Sequence, residues 1–200
     1  MTITEDPRVS RSKSRILDSA ADLLVREGAA AATIERIAAG AGVARTTVYR
    51  HWPSRSHLVM DAFETLAAPP PVPATDDLRR GLLALLAELA WALTESRRAP
   101  MLPALVDAAE RDEELANLQK RHTEQRRKPM RLVIEAAITR GEIPRETDTE
   151  LALDQLSGPL FYRRLITHRP ITKRFLEQVV DGAIAAWQSP PHASPGNSSH

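Results

Sequence analysis

The sequence predicts an all-α fold, and three of its features support this prediction. Apolar residues recur with the 3.6-residue period of a helix along most of the chain, and few runs alternate as a strand would. Alanine, leucine, glutamate and arginine, which favour helices, dominate the composition. Glycine occurs at only eight of the 200 positions. A chain of this length fits one large domain or two small ones.

The composition excludes several functional classes. The chain has no cysteine, so it has no disulfide framework, no cysteine-ligated zinc site and no thiol nucleophile. Glu88 interrupts the longest apolar stretch, and residues 1–15 lack the apolar core of a secretion signal. We therefore expect a soluble, cytoplasmic chain that has no membrane contact, metal or cofactor.

Four helices are predicted before the first proline-rich stretch. The first covers about residues 12–27 and ends at a glycine, the residue type that closes many helices. Thr33 offers an N-cap for a short second helix, which ends at the glycines of residues 40–42. A third short helix spans residues 43–52, and Ser54 caps a fourth.

Five further helices are predicted beyond that stretch, which makes nine in all. They cover about residues 76–96, 101–111, 112–140 and 149–167, and a last helix has an apolar face from Phe175 to Trp187. Asp148 should cap the fourth of these five, and Pro129 should kink the third. The predicted segments are a disordered arm (1–10), a first domain (11–66), a proline-rich linker (67–75), a second domain (76–188) and a disordered tail (189–200).

Residues 33–58 carry the most informative pattern. Two short helices joined by a tight glycine-containing turn, with the small residues Ala38 and Gly42 where they must approach, are typical of a helix-turn-helix. The second helix of that motif lies in the major groove of DNA. Its candidate contact residues are types that bind base edges or phosphates, namely Arg45, Thr46, Thr47, Tyr49, Arg50 and His51. Spacing alone favours DNA binding, and the alternative is that these residues only solvate an exposed helix that never meets DNA.

The formal charge of +1 conceals an uneven distribution. Residues 1–60 contain nine basic and six acidic residues, a net charge of +3, whereas residues 61–200 contain 18 and 20, a net charge of −2. The excess is concentrated at Arg45, Arg50 and Arg55. This local positive face favours contact with phosphates. The backbone N–H groups at the start of the fourth helix can donate hydrogen bonds to one more phosphate.

Residues 11–66 resemble the DNA-binding domain of TetR-like transcriptional regulators. The run TVYRHWPSRSHL is similar to the closing motif of that domain, and the matching positions are Thr33, Ile37, Ala38, Ala41, Gly42, Val43, Thr47, Tyr49, Arg50, His51, Trp52, Pro53, Ser54 and Leu58. Two positions depart from the family pattern. Ala44 stands where serine is usual, which removes a helix cap, and Trp52 replaces the commoner phenylalanine.

The resemblance implies the fold, the partners and the roles of the site residues. The fold is an N-terminal three-helix helix-turn-helix domain followed by a C-terminal helical bundle for ligand binding and dimerisation. The partner is a double-stranded operator, from which a small-molecule effector releases a repressor. Thr33, Thr47, Tyr49, His51 and Arg55 would position the DNA backbone, and Arg45, Thr46 and Arg50 would read bases.

The C-terminal helices are expected to form a homodimer and an effector pocket. The stretches LSGPLFYRRLIT and FLEQVVDGAIAAW resemble one C-terminal subtype of the family, and the predicted dimer face consists of Leu156, Leu160, Phe161, Phe175, Val179, Ile184 and Trp187. Apolar, bulky or adaptable residues from several helices form the predicted pocket lining: Leu86, Trp91, Met101, Leu105, Met130 and Ile134. A place in the subunit core is the other interpretation of each of these residues.

Two rival functions remain open at this point. An enzyme is disfavoured, because the six histidines form no HExxH pair and the chain has neither a GxSxG motif nor a phosphate-binding loop. A helical protein–protein adaptor that uses the Trp187 face is the second rival. It predicts that no DNA is bound sequence-selectively.

Overall fold

The computed structural model describes residues 7–65 and 76–189. These residues form nine α-helices and no strand, which confirms the predicted all-α fold. The helices are α1 (Pro7–Glu27), α2 (Ile34–Ala41), α3 (Arg45–His51), α4 (Arg55–Thr65), α5 (Leu78–Thr94), α6 (Leu102–Ala109), α7 (Glu113–Arg140), α8 (Thr149–Tyr162) and α9 (Lys173–Gln188).

The first helix begins earlier than predicted. It starts at Pro7, so residues 7–10 are helical and do not belong to the predicted disordered arm. Residues 7–10 contain too few apolar residues to show a helical period. A proline nevertheless suits the start of a helix, where its missing N–H has no intrahelical partner to lose. Residues 1–6, the predicted linker 67–75 and tail residues 190–200 lie outside the described residues.

Local capping fixes the short helices α2 and α3. The Thr33 hydroxyl accepts a hydrogen bond from the backbone N–H of Arg36 at 3.3 Å, as predicted. Gly42 closes α2 in the left-handed conformation, with φ of 64°, which glycine adopts without the steric penalty of a Cβ atom. Ala44 precedes α3 and provides no side-chain cap, as its replacement of serine predicts. The turn between the two helices consists of the three residues 42–44.

The chain divides into two compact units. The first contains α1–α4, residues 91–126 with α6, and the start of α7; the second contains residues 76–90, the rest of α7, α8 and α9. The sequence predicts two domains, residues 11–66 and 76–188. In the structure, contacts place residues 91–126 in the same unit as the N-terminal helices. The buried centre of the first unit includes Ile16, Leu24, Ile37, Leu58, Leu105 and Leu115, and that of the second includes Leu82, Leu86, Ile134, Leu153 and Leu156.

The helical segment that begins with α8 ends at Thr167, as predicted, but its last turn is not α-helical. Asp148 caps it by accepting hydrogen bonds from the backbone N–H groups of the first turn, as expected. The α-helix stops at Tyr162 and continues as a π-helical turn, Arg163–Thr167, after which His168 adopts a left-handed φ of 50°. The Arg163 guanidinium lies 3.5 Å from the ring centroid of Phe175, which ties this turn to α9.

Helix α7 is continuous from Glu113 to Arg140 and contains Pro129 in its interior. The kink expected before Pro129 stays a prediction. Two ion pairs, Arg127 with Asp154 and Arg131 with Glu150, join the second half of α7 to α8.

Candidate nucleic-acid interface

Helix α3 is held against the first unit by one fully buried residue and by the tryptophan that follows it. Val48 has no exposed surface, and Trp52 is almost completely buried. The Trp52 Nε1–H donates to Asp61 of α4 at 2.8 Å, and the Lys13 ammonium lies 5.9 Å from the centroid of the Trp52 ring. The middle of α3 and the residue after its C-terminal end are anchored in this way, and its remaining side chains face outward or lie at the edges of this contact.

The outward face of α3 carries the predicted base-reading residues. Arg45, Thr46, Tyr49 and Arg50 are exposed, while Thr47 and His51 are half-buried at its edges. Guanidinium and hydroxyl groups on one short helix can donate to guanine acceptors or phosphates. The structure therefore places six predicted contact residues together on one element, with Thr33 at the start of the neighbouring α2.

The arginines around this face differ in their partners. Arg36 forms two hydrogen bonds with Glu27 of α1, at 2.8 and 2.7 Å, and so ties α2 to α1. Arg45 pairs with Glu35 of α2 at 2.9 Å. Arg50 makes no ion pair with any of the residues that the structure describes, so its charge is the most readily available to DNA.

Arg55 points away from the outward face of α3. Its Nε–H donates to the Ala32 carbonyl at 2.8 Å, its Nη2 donates to the Ala29 carbonyl, and its Nη1 lies 3.9 Å from Asp112. These contacts hold the short 3₁₀ turn Ala29–Ala31 against α4. Because these groups already engage the Arg55 guanidinium, the structure does not favour the phosphate contact predicted for Arg55, which stays a prediction.

Sequence reasoning missed the polar links between α4 and the start of α7. The buried Ser56 hydroxyl donates to Asp112 at 2.7 Å, and Asp112 in turn accepts from the backbone N–H of Leu115 at 3.0 Å. The Leu115 N–H, followed by Ser56, lowers the pKa of Asp112 below its usual value. The acidic start of α7 was visible in the sequence, but its partner on α4 was not.

Comparison with known proteins identifies the chain. Residues 16–62 match the model of bacterial regulatory proteins of the tetR family, and residues 72–183 match the tetracyclin repressor-like C-terminal domain. The chain belongs to the TetR family. It is therefore a helix-turn-helix transcriptional regulator, with α2 and α3 as its helix-turn-helix.

Individual TetR-family members are similar to the chain over most of its length. It is 32% identical over 185 residues to the uncharacterized HTH-type transcriptional regulator YdeS of Bacillus subtilis, covering 92% of this chain and 93% of that protein. It is 29% identical to the DNA-binding transcriptional repressor TetR of Mycobacteroides abscessus, covering 88% and 95%. The crystal structure of the TetR family transcription regulator SCO0332 is 31% identical, with a TM-score of 0.65 over 87% of this chain and 97% of that one.

The predicted dimer face of this TetR-family chain needs one correction. Leu156 and Leu160 are completely buried within their own subunit, so they belong to its core and not to an open surface. Phe161 is exposed, and Phe175, Val179, Ile184 and Trp187 are half-buried. The Trp187 Nε1–H donates to Gln155 at 2.7 Å, which joins α9 to α8. Helical periodicity identified the apolar stripes but could not show which side each stripe faces.

The predicted effector-pocket residues are found in different surroundings. Leu86, Met101, Leu105, Met130 and Ile134 are buried, whereas Trp91 is 47% exposed. None of the six lines either of two open clefts, one between α1 and α2 and the other beside Arg79 and Gln188. The pocket assignment stays a prediction.

Among residues 7–65 and 76–189, no helix is both long and apolar enough to cross a membrane. Within the same residues, no three histidine, aspartate or glutamate side chains are grouped so as to hold a metal ion.

Proposed function

We propose that the chain is a homodimeric repressor that binds a palindromic operator through α3 and is released by a small-molecule effector. The observation that carries the proposal is the outward face of α3, with Val48 buried beneath it and Arg45, Thr46, Tyr49 and Arg50 exposed. The similar protein of Mycobacteroides abscessus is named a DNA-binding transcriptional repressor, and this name supports repression in preference to activation.

The roles of the α3 residues follow from their chemistry and position. Arg45, Thr46 and Arg50 read base edges, because guanidinium and hydroxyl groups match acceptors and methyl groups in the major groove. Thr33, Thr47, Tyr49 and His51 bind the DNA backbone and set the register. Arg55 acts indirectly, by holding the turn that precedes α2.

Two copies are needed for useful affinity. A helix of seven residues reaches only a few base pairs, so two symmetric copies about one helical turn apart, or a small multiple of it, would double the contact. Exposed residues of α8 and α9, such as Phe161, supply the dimer contact. The repressor acts in the cytoplasm, where its DNA target lies, and no catalytic step is assigned to it.

For an effector to release the protein from DNA, the effector must bind the conformation that does not bind DNA more tightly than the one that does. A ligand that binds the non-DNA-binding arrangement about 100-fold more tightly supplies about 3 kcal/mol, which is enough to shift a balanced equilibrium. Footprinting on the DNA that flanks the gene for this chain, with and without candidate ligands, tests this. Protection that a ligand abolishes supports release, whereas protection that no ligand changes contradicts it.

The DNA-contact roles are tested with a pair of variants. Arg45→Ala should cost about 1 to 3 kcal/mol on the preferred sequence and relax the preference at one base position, whereas Tyr49→Phe should weaken all sequences alike. Equal binding of wild type and Arg45→Ala across a randomised operator library contradicts the base-reading role. A complete lack of sequence-selective binding by the wild type favours the adaptor instead.

A further inference from the structure

One ion pair joins the two helices of the helix-turn-helix. Arg45, the first residue of α3, places its Nη1 2.9 Å from the Oε1 of Glu35 in the first turn of α2. Both side chains are well exposed, at 64% and 58%. An ion pair between two exposed side chains contributes little to folding stability.

The Glu35 carboxylate is fixed by its own helix. A hydrogen bond from its own backbone N–H, and next the Arg45 guanidinium, lower the pKa of Glu35 below its usual value. The peptide dipoles at the N-terminus of α2 also favour a negative charge there. Glu35 is consequently ionised at neutral pH and is held where it can orient Arg45.

We propose that Glu35 determines the DNA sequence specificity of the chain by holding Arg45 for base reading and by keeping its charge from phosphates. A guanidinium has five N–H donors, so Arg45 can keep its bond to Glu35 and still donate to the O6 and N7 of a guanine. These acceptors carry no net charge. A phosphate, in contrast, would have to approach the Glu35 carboxylate or displace it, so the carboxylate penalises non-specific binding more than specific binding.

This inference rests on the base-reading role proposed for Arg45. A second ion pair in the same unit provides a matched control. Glu27 and Arg36 have similar exposure, 46% each, and join α1 to α2 without involving α3. Neutralising Glu27 removes the same charge as neutralising Glu35 but leaves the contact of Arg45 intact.

The test compares Glu35→Gln and Glu27→Gln in the full-length chain. Randomised duplexes are first selected with the wild type, and binding is then measured to the most enriched duplex and to a shuffled duplex over a series of salt concentrations. For Glu35→Gln we expect the affinity ratio between the two duplexes to fall about fivefold or more, mainly because the shuffled duplex binds more tightly. The salt dependence on the shuffled duplex should steepen by about 0.9, which is one phosphate contact. Glu27→Gln should change the ratio less than about twofold, which is the size of an ordinary surface substitution.

The Arg45→Ala background separates the inference from the function on which it rests. In that background Glu35→Gln should leave the affinity ratio unchanged, because no guanidinium remains to be held. An equal gain on both duplexes in both backgrounds would mean that Glu35 only repels DNA, which overturns the inference. If Arg45→Ala lowers the ratio and Glu35→Gln does not, the inference fails alone. If Arg45→Ala leaves the ratio unchanged, the base-reading role fails and the inference falls with it.

Discussion

The arginines around α3 have different partners. Arg36 is bound to Glu27, Arg45 to Glu35, and Arg55 to the carbonyls of the turn before α2. In the sequence, Arg45, Arg50 and Arg55 are three equivalent cations beside a helix-turn-helix. The partners that separate them lie ten or more residues away, so local spacing could predict a positive face but not which of its charges is available.

His122 of α7 is a half-buried side chain beside the end of α4. Its Nδ1 lies 3.1 Å from Glu64, and its ring packs edge-on against Phe63. Burial, followed by the charges of Arg98 and Arg126, lowers the pKa of His122 to about 4. The neighbouring Glu64 carboxylate favours the protonated ring but does not outweigh these effects, and burial raises the pKa of Glu64 itself.

We predict that His122 makes the protein less stable as the pH falls. The unfolded chain gains a proton at His122 near pH 6.5, whereas the folded chain gains it only near pH 4. Stability is thus lost as the pH falls from about 6.5 toward 4. Between pH 7.5 and 5, wild type should lose about 1 to 2 kcal/mol more unfolding free energy than His122→Gln. Urea unfolding at both pH values measures this difference, and equal losses in the two proteins would contradict it.

At the scale of elements, the turn before α2 depends on α4. We predict that Arg55→Ala lowers the unfolding free energy by about 1 to 3 kcal/mol, because it removes the hydrogen bonds that the guanidinium donates to the Ala32 and Ala29 carbonyls. Arg50→Ala is the matched control, and it should weaken DNA binding while the unfolding free energy changes by less than about 0.5 kcal/mol. Unchanged stability in Arg55→Ala, combined with weaker binding to all DNA, would restore the phosphate role that the sequence suggested.

Helix ends could be predicted from the sequence where a side chain caps them. Thr33 and Asp148 are such residues, and both helices begin where these caps place them. The π-helical turn Arg163–Thr167 could not be predicted, because five residues are too few to reveal a change of helical period. The start of α1 at Pro7 was missed for a related reason, since its first turn has too few apolar residues to show a period.

Sequence periodicity also leaves open which partner covers an apolar stripe. Leu156 and Leu160 share a helix with Phe161, but the first two are buried in their own subunit and Phe161 is exposed. Neighbouring positions on one helix point in directions about 100° apart, so a single helix can serve both the core and an interface. Only the packing of α8 and α9 distinguishes the two uses.

For the whole molecule, we predict that dimerisation depends on the exposed side of α8. Phe161→Glu should weaken self-association more than tenfold, because it places a charge in an apolar interface. Leu132→Glu alters another exposed apolar residue, on α7, and should leave self-association intact. Sedimentation over a dilution series measures both, and a wild type that is already monomeric at micromolar concentration would contradict the predicted dimer.

The measurement that most directly tests DNA reading by a symmetric pair of α3 helices is selection of randomised duplexes with the wild-type protein. The enriched sequence should be two-fold symmetric, with half-sites about 10 to 10.5 base pairs apart or a small multiple of this spacing. Arg45→Ala should lose its preference at the same base position in both half-sites. Enrichment of no sequence, or of a site without two-fold symmetry, would contradict a dimer that reads DNA through α3.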